Sequence, residues 1–250
     1  MAKLSGKVAV VTGGSKGIGA SIAKHLAAEG ASVVVNYATN AAAACKVVED
    51  IRSQGGKAVA VKADVSKADQ VKTLFNEAEK AFGGPADLLV NNAGIYGATP
   101  LGTIDATSFY KYFDLNVLGL LLATQEAASR WNGKQGVVIN VSSTVALTPG
   151  PGMSIYSATK AAVDNITRGL ALELGPKARI VGVSPGLTIT EGYEAMSQGD
   201  KTFEQYAASR TPLARAGQPE DIAKVVAFLA SDDSGWISGE TLQAGGGLRL

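Results

Sequence analysis

Short apolar runs punctuate the chain: Val8–Val11, Ser32–Val35, Ala58–Val61, Asp87–Val90, Val137–Val141 and Ile180–Val183. Each is nearly continuous in β-branched and other apolar residues instead of alternating with polar ones, the pattern of a strand covered on both faces. Between the runs the period changes. Segments 18–29, 41–53 and 69–82 carry apolar residues three and four apart with charges between them, as amphipathic helices do. Glycines close these segments at Gly30, Gly55-Gly56 and Gly83-Gly84, where a helix end needs a residue free to turn. Strand, helix, strand, repeated, predicts a doubly wound α/β domain, a parallel sheet with right-handed crossovers and helices on both faces. No linker, repeat or low-complexity tract interrupts it, so residues 1–250 read as a single domain. One stretch, about 188–217, breaks the rhythm. It is polar, dotted with aromatics and lacks a strand, and it reads as an excursion from the sheet, a candidate lid.

Charge narrows the function classes. Lys and Arg number 23 against 22 Asp and Glu, with no basic run, so the chain has no electrostatic footprint for nucleic acid or an anionic membrane. No stretch approaches the roughly 18 uncharged apolar residues of a membrane helix, and the first residues show no secretory pattern. Cys45 is the one cysteine, which excludes an internal disulfide and fits a reducing cytoplasm. With His25 as the one histidine, a His/Cys zinc site within one chain is implausible, and no metal is expected. His25 reads as a helix-surface residue and Cys45 as a small packing residue in an alanine-rich helix. Trp131 and Trp236 read as core or interface anchors.

The first apolar run passes into Thr12-Gly13-Gly14-Ser15-Lys16-Gly17-Ile18-Gly19 and then a helix. Glycines there allow a sharp turn, close backbone approach to a pyrophosphate and tight helix–strand packing, and the helix N-terminus offers free N–H groups to phosphate. A plain glycine-rich turn would also join strand to helix. The position after the first strand of a βαβ unit favours a dinucleotide. The second run ends Val35-Asn36-Tyr37-Ala38, with no carboxylate to bind ribose hydroxyls or repel a 2′-phosphate. Lys16 adds positive charge nearby and Tyr37 can lie against the adenine, so the reading is NADP(H), although a loop lysine is also simply a solvated one. Asp64, after the third run, either meets the adenine amino group or heads the helix before Ser66.

Tyr156 and Lys160 lie four apart, on one face of a helix-period segment that ends near Gly175. A tyrosine with a pKa of about 10 is a poor acid–base group at neutral pH, and a neighbouring ammonium lowers that pKa. Ser143 follows the Val137–Val141 run, and the Pro149-Gly150-Pro151-Gly152 loop between them can fold it back toward Tyr156. A serine there can hold a substrate oxygen beside the phenol. Spacing alone also permits a surface Tyr-x-x-x-Lys pair and serines that merely end a strand.

Taken together, Thr12–Gly19, Asn91-Asn92-Ala93-Gly94, Asn116, Ser143, Tyr156-x-x-x-Lys160 and Pro185-Gly186 with Thr190 beyond resemble the short-chain dehydrogenase/reductase family, in its order and over essentially the whole chain. The resemblance implies a Rossmann-type sheet of about seven parallel strands and a catalytic tetrad of Asn116, Ser143, Tyr156 and Lys160. In it Asn116 shapes a helix and holds a water, Ser143 polarises the carbonyl, Lys160 orients the ribose and Tyr156 is the proton donor. It implies cofactor contacts from Gly13, Ser15, Lys16, Gly17, Ile18 and Gly19, then Asn36, Tyr37, Ala38, Asp64 and Val65. Asn92, Ala93 and Gly94, with Tyr156 and Lys160, complete the nicotinamide side, together with Pro185, Gly186, Thr188 and Thr190. The pocket expected for a small-molecule carbonyl substrate is lined by Ile95, Tyr96, Val145, Leu187 and lid residues Tyr193, Met196 and Phe203. That lining is apolar and aromatic, and it favours a hydrophobic ketone or 3-oxoester.

Within the family the chain is most similar to 3-oxoacyl-carrier-protein reductases and related NADPH carbonyl reductases. The former activity is the first alternative, and polyol or sugar dehydrogenation or a non-catalytic nucleotide sensor are further ones. The resemblance also implies a homotetramer through helices around Phe109–Trp131 and Ile155–Gly175 and the Leu248-Arg249-Leu250 end.

Overall fold

The computed structural model describes residues 2–248. Arg249 and Leu250, expected at an oligomer contact, lie outside the described residues. The chain runs β1 (Val8–Val11), α1 (Gly17–Ala28), β2 (Ser32–Tyr37), α2 (Ala41–Ser53), β3 (Lys57–Lys62), α3 (Ala68–Phe82) and β4 (Leu88–Asn91). It continues with α4 (Ala106–Phe113), a π-helical segment at Asp114–Leu118, α5 (Gly119–Arg130), β5 (Gly136–Val141), α6 (Ser154–Leu174) and β6 (Ala178–Pro185). Then come α7 (Glu191–Ser197), α8 (Thr202–Arg210), α9 (Pro219–Ala230) and β7 (Thr241–Ala244). The seven strands form one parallel sheet in the order β3-β2-β1-β4-β5-β6-β7.

Burial on both faces explains the unbroken apolar runs. Along β1, Ala9 and Val11 pack into the layer that holds Ile22 and Leu26 of α1 with Val226 and Leu229 of α9. Val8 and Val10 point the other way, toward Leu74 and Phe75 of α3 and Ala123 and Ala127 of α5. Trp131 closes that second layer, its indole N–H donating to the Ala86 carbonyl at 2.9 Å. The strand order reverses between β1 and β4, so the carboxyl ends of these two strands part and open a crevice, where ligands of open α/β sheets bind.

The number of strands is the one expected, and two other expectations change. The seventh strand was not among the apolar runs, because Thr241–Ala244 sits at the sheet edge and is only half-buried. Cys45 is exposed, not a packing residue, since the buried face of α2 is Ala44, Val47, Val48 and Ile51. Trp236 is fully exposed at 101%, so of its two readings the core anchor falls away. The strandless stretch is largely helical, with α7 and α8 rising from a base where Thr188 bridges to Gly217.

Candidate active site

The crevice is built by Thr12, the residue after β1. Its hydroxyl donates to the Val90 carbonyl at 3.2 Å and accepts the Asn92 and Ala93 N–H groups at 3.0 Å each. The Asn92 amide donates to the Thr12 and Gly13 carbonyls at 2.9 and 3.1 Å. The ends of β1 and β4 are thereby tied together beneath the glycine loop. Side chains do not fit there. A Cβ on Gly13, at φ +61°, would lie 2.9 Å from Ala93 Cα, and one on Gly19 would stand 2.4 Å from both Asn92 Nδ2 and the Gly13 oxygen. Gly17, Ile18 and Gly19 then open α1, with the N–H groups that a helix start leaves without partners inside the helix.

At the far end of the crevice Lys16 and Ala38 are exposed and Ser15 and Tyr37 half-buried. Asn36 does something else. It is 2% exposed, and its side chain accepts the Gly13 N–H at 3.2 Å while donating to the Val61 and Ala63 carbonyls at 3.3 and 3.0 Å. Its amide is thereby committed to bracing the glycine loop against the end of β3. Asp64 accepts both the N–H and the hydroxyl of Ser66 through one oxygen, leaving the other carboxylate oxygen for a ligand. Val65 is buried beneath Gly119, where a Cβ would meet its Cγ2 at 3.1 Å.

The polar residues of the second half converge beside Gly94. Asn116 lies in the π-helical segment, 2% exposed. Its amide accepts the Ile95 N–H at 2.9 Å and donates to the Ile95 carbonyl at 2.9 Å and to Thr159 Oγ1 at 3.0 Å. It thus clamps the loop after β4 onto α6. Lys160 donates to the Val141 carbonyl at 2.9 Å, and its Nζ stands 5.9 Å from the centroid of the Tyr156 ring. A cavity of about 10 Å³ lined by Thr12, Asn91, Asn116 and Lys160 lies here, roughly one water's worth of room. The Asn91 Oδ1 is buried without a partner.

Electrostatics in this cluster follow burial. Burial pushes Tyr156 up to about 12, the Ser143 hydroxyl pulls it back, and the neighbouring Tyr96 and Tyr112 push it further up. Burial pulls Lys160 down to about 8, against the raising influence of Asp164. A lowered tyrosine pKa was the expectation from Lys160's spacing. In this geometry desolvation outweighs it, because the ammonium is turned to the Val141 carbonyl. A phenol held protonated at neutral pH is the state that can donate a proton.

On the substrate side, Ile95, Val145 and Leu187 are half-buried and Tyr96 is exposed. The rings of Tyr96 and Tyr112 lie 6.5 and 6.4 Å from that of Tyr156. Two lid residues depart from expectation. Tyr193 is buried, its hydroxyl without a partner, and belongs to the lid's interior. Phe203 is exposed on α8. The side chain of Met196 lies outside the described residues. Pro185 ends β6, and Gly186 packs on Gly245, where a Cβ would be 2.8 Å from Cα. Thr188 donates to the Gly186 carbonyl at 3.0 Å, and Thr190 caps α7 by accepting the Tyr193 N–H at 3.2 Å.

Tyr112, Asp164 and Glu191 were not foreseen. Asp164 carries the one local trace, a carboxylate one turn beyond Lys160. It is buried, and burial raises its pKa while Ser142, Thr241 and Arg168 lower it. Among the described residues no group of three or more His, Cys, Asp or Glu could hold a metal, and no helix is long and apolar enough to cross a membrane. The backbone-lined cradle at the start of α1, which a Cβ would fill, fits the pyrophosphate of a dinucleotide.

Comparison with known proteins agrees with this geometry. The family profile described as enoyl-(acyl carrier protein) reductase matches residues 13–249. An uncharacterised oxidoreductase of Methylorubrum extorquens is 51% identical over 100% of both chains. Versicolorin reductase 1 of Dothistroma septosporum is 40% identical over 98% of this chain and 97% of its own. The crystal structure of a short chain dehydrogenase from Burkholderia cenocepacia in complex with NADP superposes with a TM-score of 0.91 at 37% identity, covering 99% of this chain and 100% of that one.

Proposed function

The chain belongs to the short-chain dehydrogenase/reductase family, whose members are oxidoreductases acting on CH–OH and C=O groups with a nicotinamide cofactor, and from that premise we propose that it uses NADPH to reduce a ketone or 3-oxoester to an alcohol, with Tyr156 as the acid. The observation that carries the reading is the convergence of Ser143, Tyr156 and Lys160 beside the nucleotide crevice, the Ser143 side chain hydrogen-bonded to Tyr156 and Lys160 Nζ 5.9 Å from the centroid of the Tyr156 ring.

In this mechanism the Gly13–Gly19 loop and the α1 N-terminus hold the pyrophosphate, and Lys16, Ser15 and Tyr37 meet the adenosine end. Asn92, Ala93, Gly94 and Lys160 would hold the nicotinamide end, and that group, when bound and reduced, would supply the hydride. Ser143 donates a hydrogen bond to the substrate carbonyl and polarises it. Tyr156 gives its phenolic proton to the same oxygen as negative charge develops. Lys160, its Nζ 5.9 Å from the centroid of the tyrosine ring, would steady the resulting phenolate by swinging from the Val141 carbonyl toward the phenol oxygen. Asn116 keeps the π-helical segment and the loop after β4 in register, beside the cavity from which a water can return the proton. NADPH over NADH is supported by the carboxylate-free end of β2, by Lys16, and by the NADP bound to the Burkholderia relative.

For the substrate, the tyrosine rings around Tyr156 favour a bulky, aromatic or long-chain carbonyl, and the name of the Dothistroma relative points the same way. A carrier-bound 3-oxoacyl substrate is the second reading, favoured by the description of the matching family profile. A homotetramer is the assembly we propose.

The test is NADPH and NADH titration followed by turnover on a panel of free and carrier-bound ketones. NADPH is expected to bind more tightly. Tyr156→Phe is expected to bind it normally while losing roughly 10²–10⁴-fold in turnover, the worth of a positioned acid. Preference for NADH would overturn the cofactor assignment, and full activity in the variant would overturn the acid.

A further inference from the structure

The first N–H of α1 has a partner from far along the chain. Gly17 donates to Oε2 of Glu191 at 2.9 Å. Glu191 is the first residue of α7 and is exposed, so the contact is not a by-product of core packing. A helix start carries partial positive charge and favours an anion, and a carboxylate oxygen there is chemically equivalent to a phosphate oxygen. It stands where a nucleotide pyrophosphate is held if the glycine loop is read as above, and the inference rests on that reading.

The surrounding turn is shaped for this contact. Gly17 has φ +54°, and a Cβ on it would meet Thr190 Cγ2 at 3.1 Å and Glu191 Oε2 at 3.6 Å. Thr190 holds the turn by capping α7. On the other side of Glu191, Gly192 has no side chain to keep away the Tyr96 hydroxyl, which a Cβ would meet at 2.4 Å. Tyr96 in turn lies beside Tyr156. The turn Thr190-Glu191-Gly192 therefore touches the phosphate end of the crevice with one residue and the substrate end with the next.

We propose that Glu191 is a resident placeholder for the cofactor pyrophosphate, an autoinhibitory latch that fastens the first turn of α7 to the glycine loop. A carboxylate and a phosphate cannot both accept the Gly17 N–H, and their like charges repel. Nucleotide binding therefore expels Glu191 and releases the turn, which also loosens the Gly192 contact with Tyr96. The coupling is reciprocal: whatever the latch contributes to the closed turn it subtracts from nucleotide affinity.

Glu191→Gln and Glu191→Ala test this, with NADPH affinity read by fluorescence titration and hydrogen exchange read over residues 189–210. Removing one exposed charge at a helix start is expected to tighten NADPH binding by roughly three- to five-fold. Affinity for adenosine 2′-monophosphate, which lacks the pyrophosphate, should not change. Without nucleotide, segment 189–210 should exchange faster in both variants than in the wild type. With saturating NADPH the three proteins should exchange alike. Equal NADPH affinities and equal exchange without nucleotide would overturn the latch. Failure of all three proteins to bind NADPH would overturn the nucleotide reading instead, whatever the exchange data gave.

Discussion

Lys160 is buried to 6% exposure with one carbonyl for company, and burial sets its chemistry. Its pKa falls from 10.5 to about 8, a difference of about 3 kcal/mol at 1.36 kcal/mol per unit. Above the ordinary lysine value neither the folded nor the unfolded chain holds this proton, and below about 8 both do. Between those limits the unfolded chain keeps a proton that the folded one has shed, so this group makes stability rise with pH across the window. Lys160→Met lacks that rise. In urea unfolding at pH 7, 8, 9 and 10, the wild-type stability minus that of the variant should grow by up to about 3 kcal/mol, because every other titration cancels in the difference. Parallel curves would mean that the ammonium is not desolvated. The same side chain illustrates a limit of spacing arguments. Tyr-x-x-x-Lys puts the two groups on one helical face, but whether the ammonium lowers the phenol depends on where Nζ points.

At the level of elements, the β1–α1 junction shows why a residue in a helix can resist an otherwise favourable substitution. Alanine at Gly19 would gain about 1 kcal/mol in helix propensity. Its Cβ would also stand 2.4 Å from the Gly13 carbonyl, and such overpacking costs about 1–3 kcal/mol. The clash wins, because the contacted atom is backbone in the loop that Asn92 and Thr12 pin down. Gly19→Ala should lower urea stability by up to about 2 kcal/mol and weaken NADPH binding at least tenfold. Unchanged binding would show that the loop does not carry the nucleotide.

The strands β1 to β6 were legible in the sequence because strands buried on both faces leave continuous apolar runs. The strand β7 left none, being half-exposed at the edge. The helices α1, α2 and α3 were legible within a residue or so at each end, since amphipathic periodicity and closing glycines are local signals. The π-helical segment around Asn116 was not, because it is widened by hydrogen bonds to Ile95 and Thr159 that form only in the fold. Asn36 was noticed for lacking a charge, but its inward amide depends on carbonyls of the neighbouring strand. The Gly17–Glu191 contact joins residues too distant for any pattern to connect.

Over the whole molecule, the apolar side chains left outside are not scattered evenly. One group, Phe109, Tyr110 and Leu118, is 40–59% exposed along α4 and into the π-helical segment before α5. Another, Phe228 and Trp236, is 40% and 101% exposed on α9 and the loop that follows it, on the other side of the sheet. Exposed apolar groups of this size mark contact surfaces, and two different self-complementary faces on one chain generate a tetramer with dihedral symmetry. The glycine loop, Ser143, Tyr156 and Lys160 all come from one chain, so nucleotide binding should survive loss of an interface. Light scattering should therefore give a four-chain mass for the wild type. Phe228→Glu combined with Trp236→Glu should halve that mass while leaving NADPH affinity within about twofold, since the loss of the second face leaves the first intact. A single-chain mass for the wild type would sink the tetramer. An unchanged mass in the double variant would show that the α9 face is not an interface, and a mass of one chain would show that the α4–α5 face cannot hold a dimer alone.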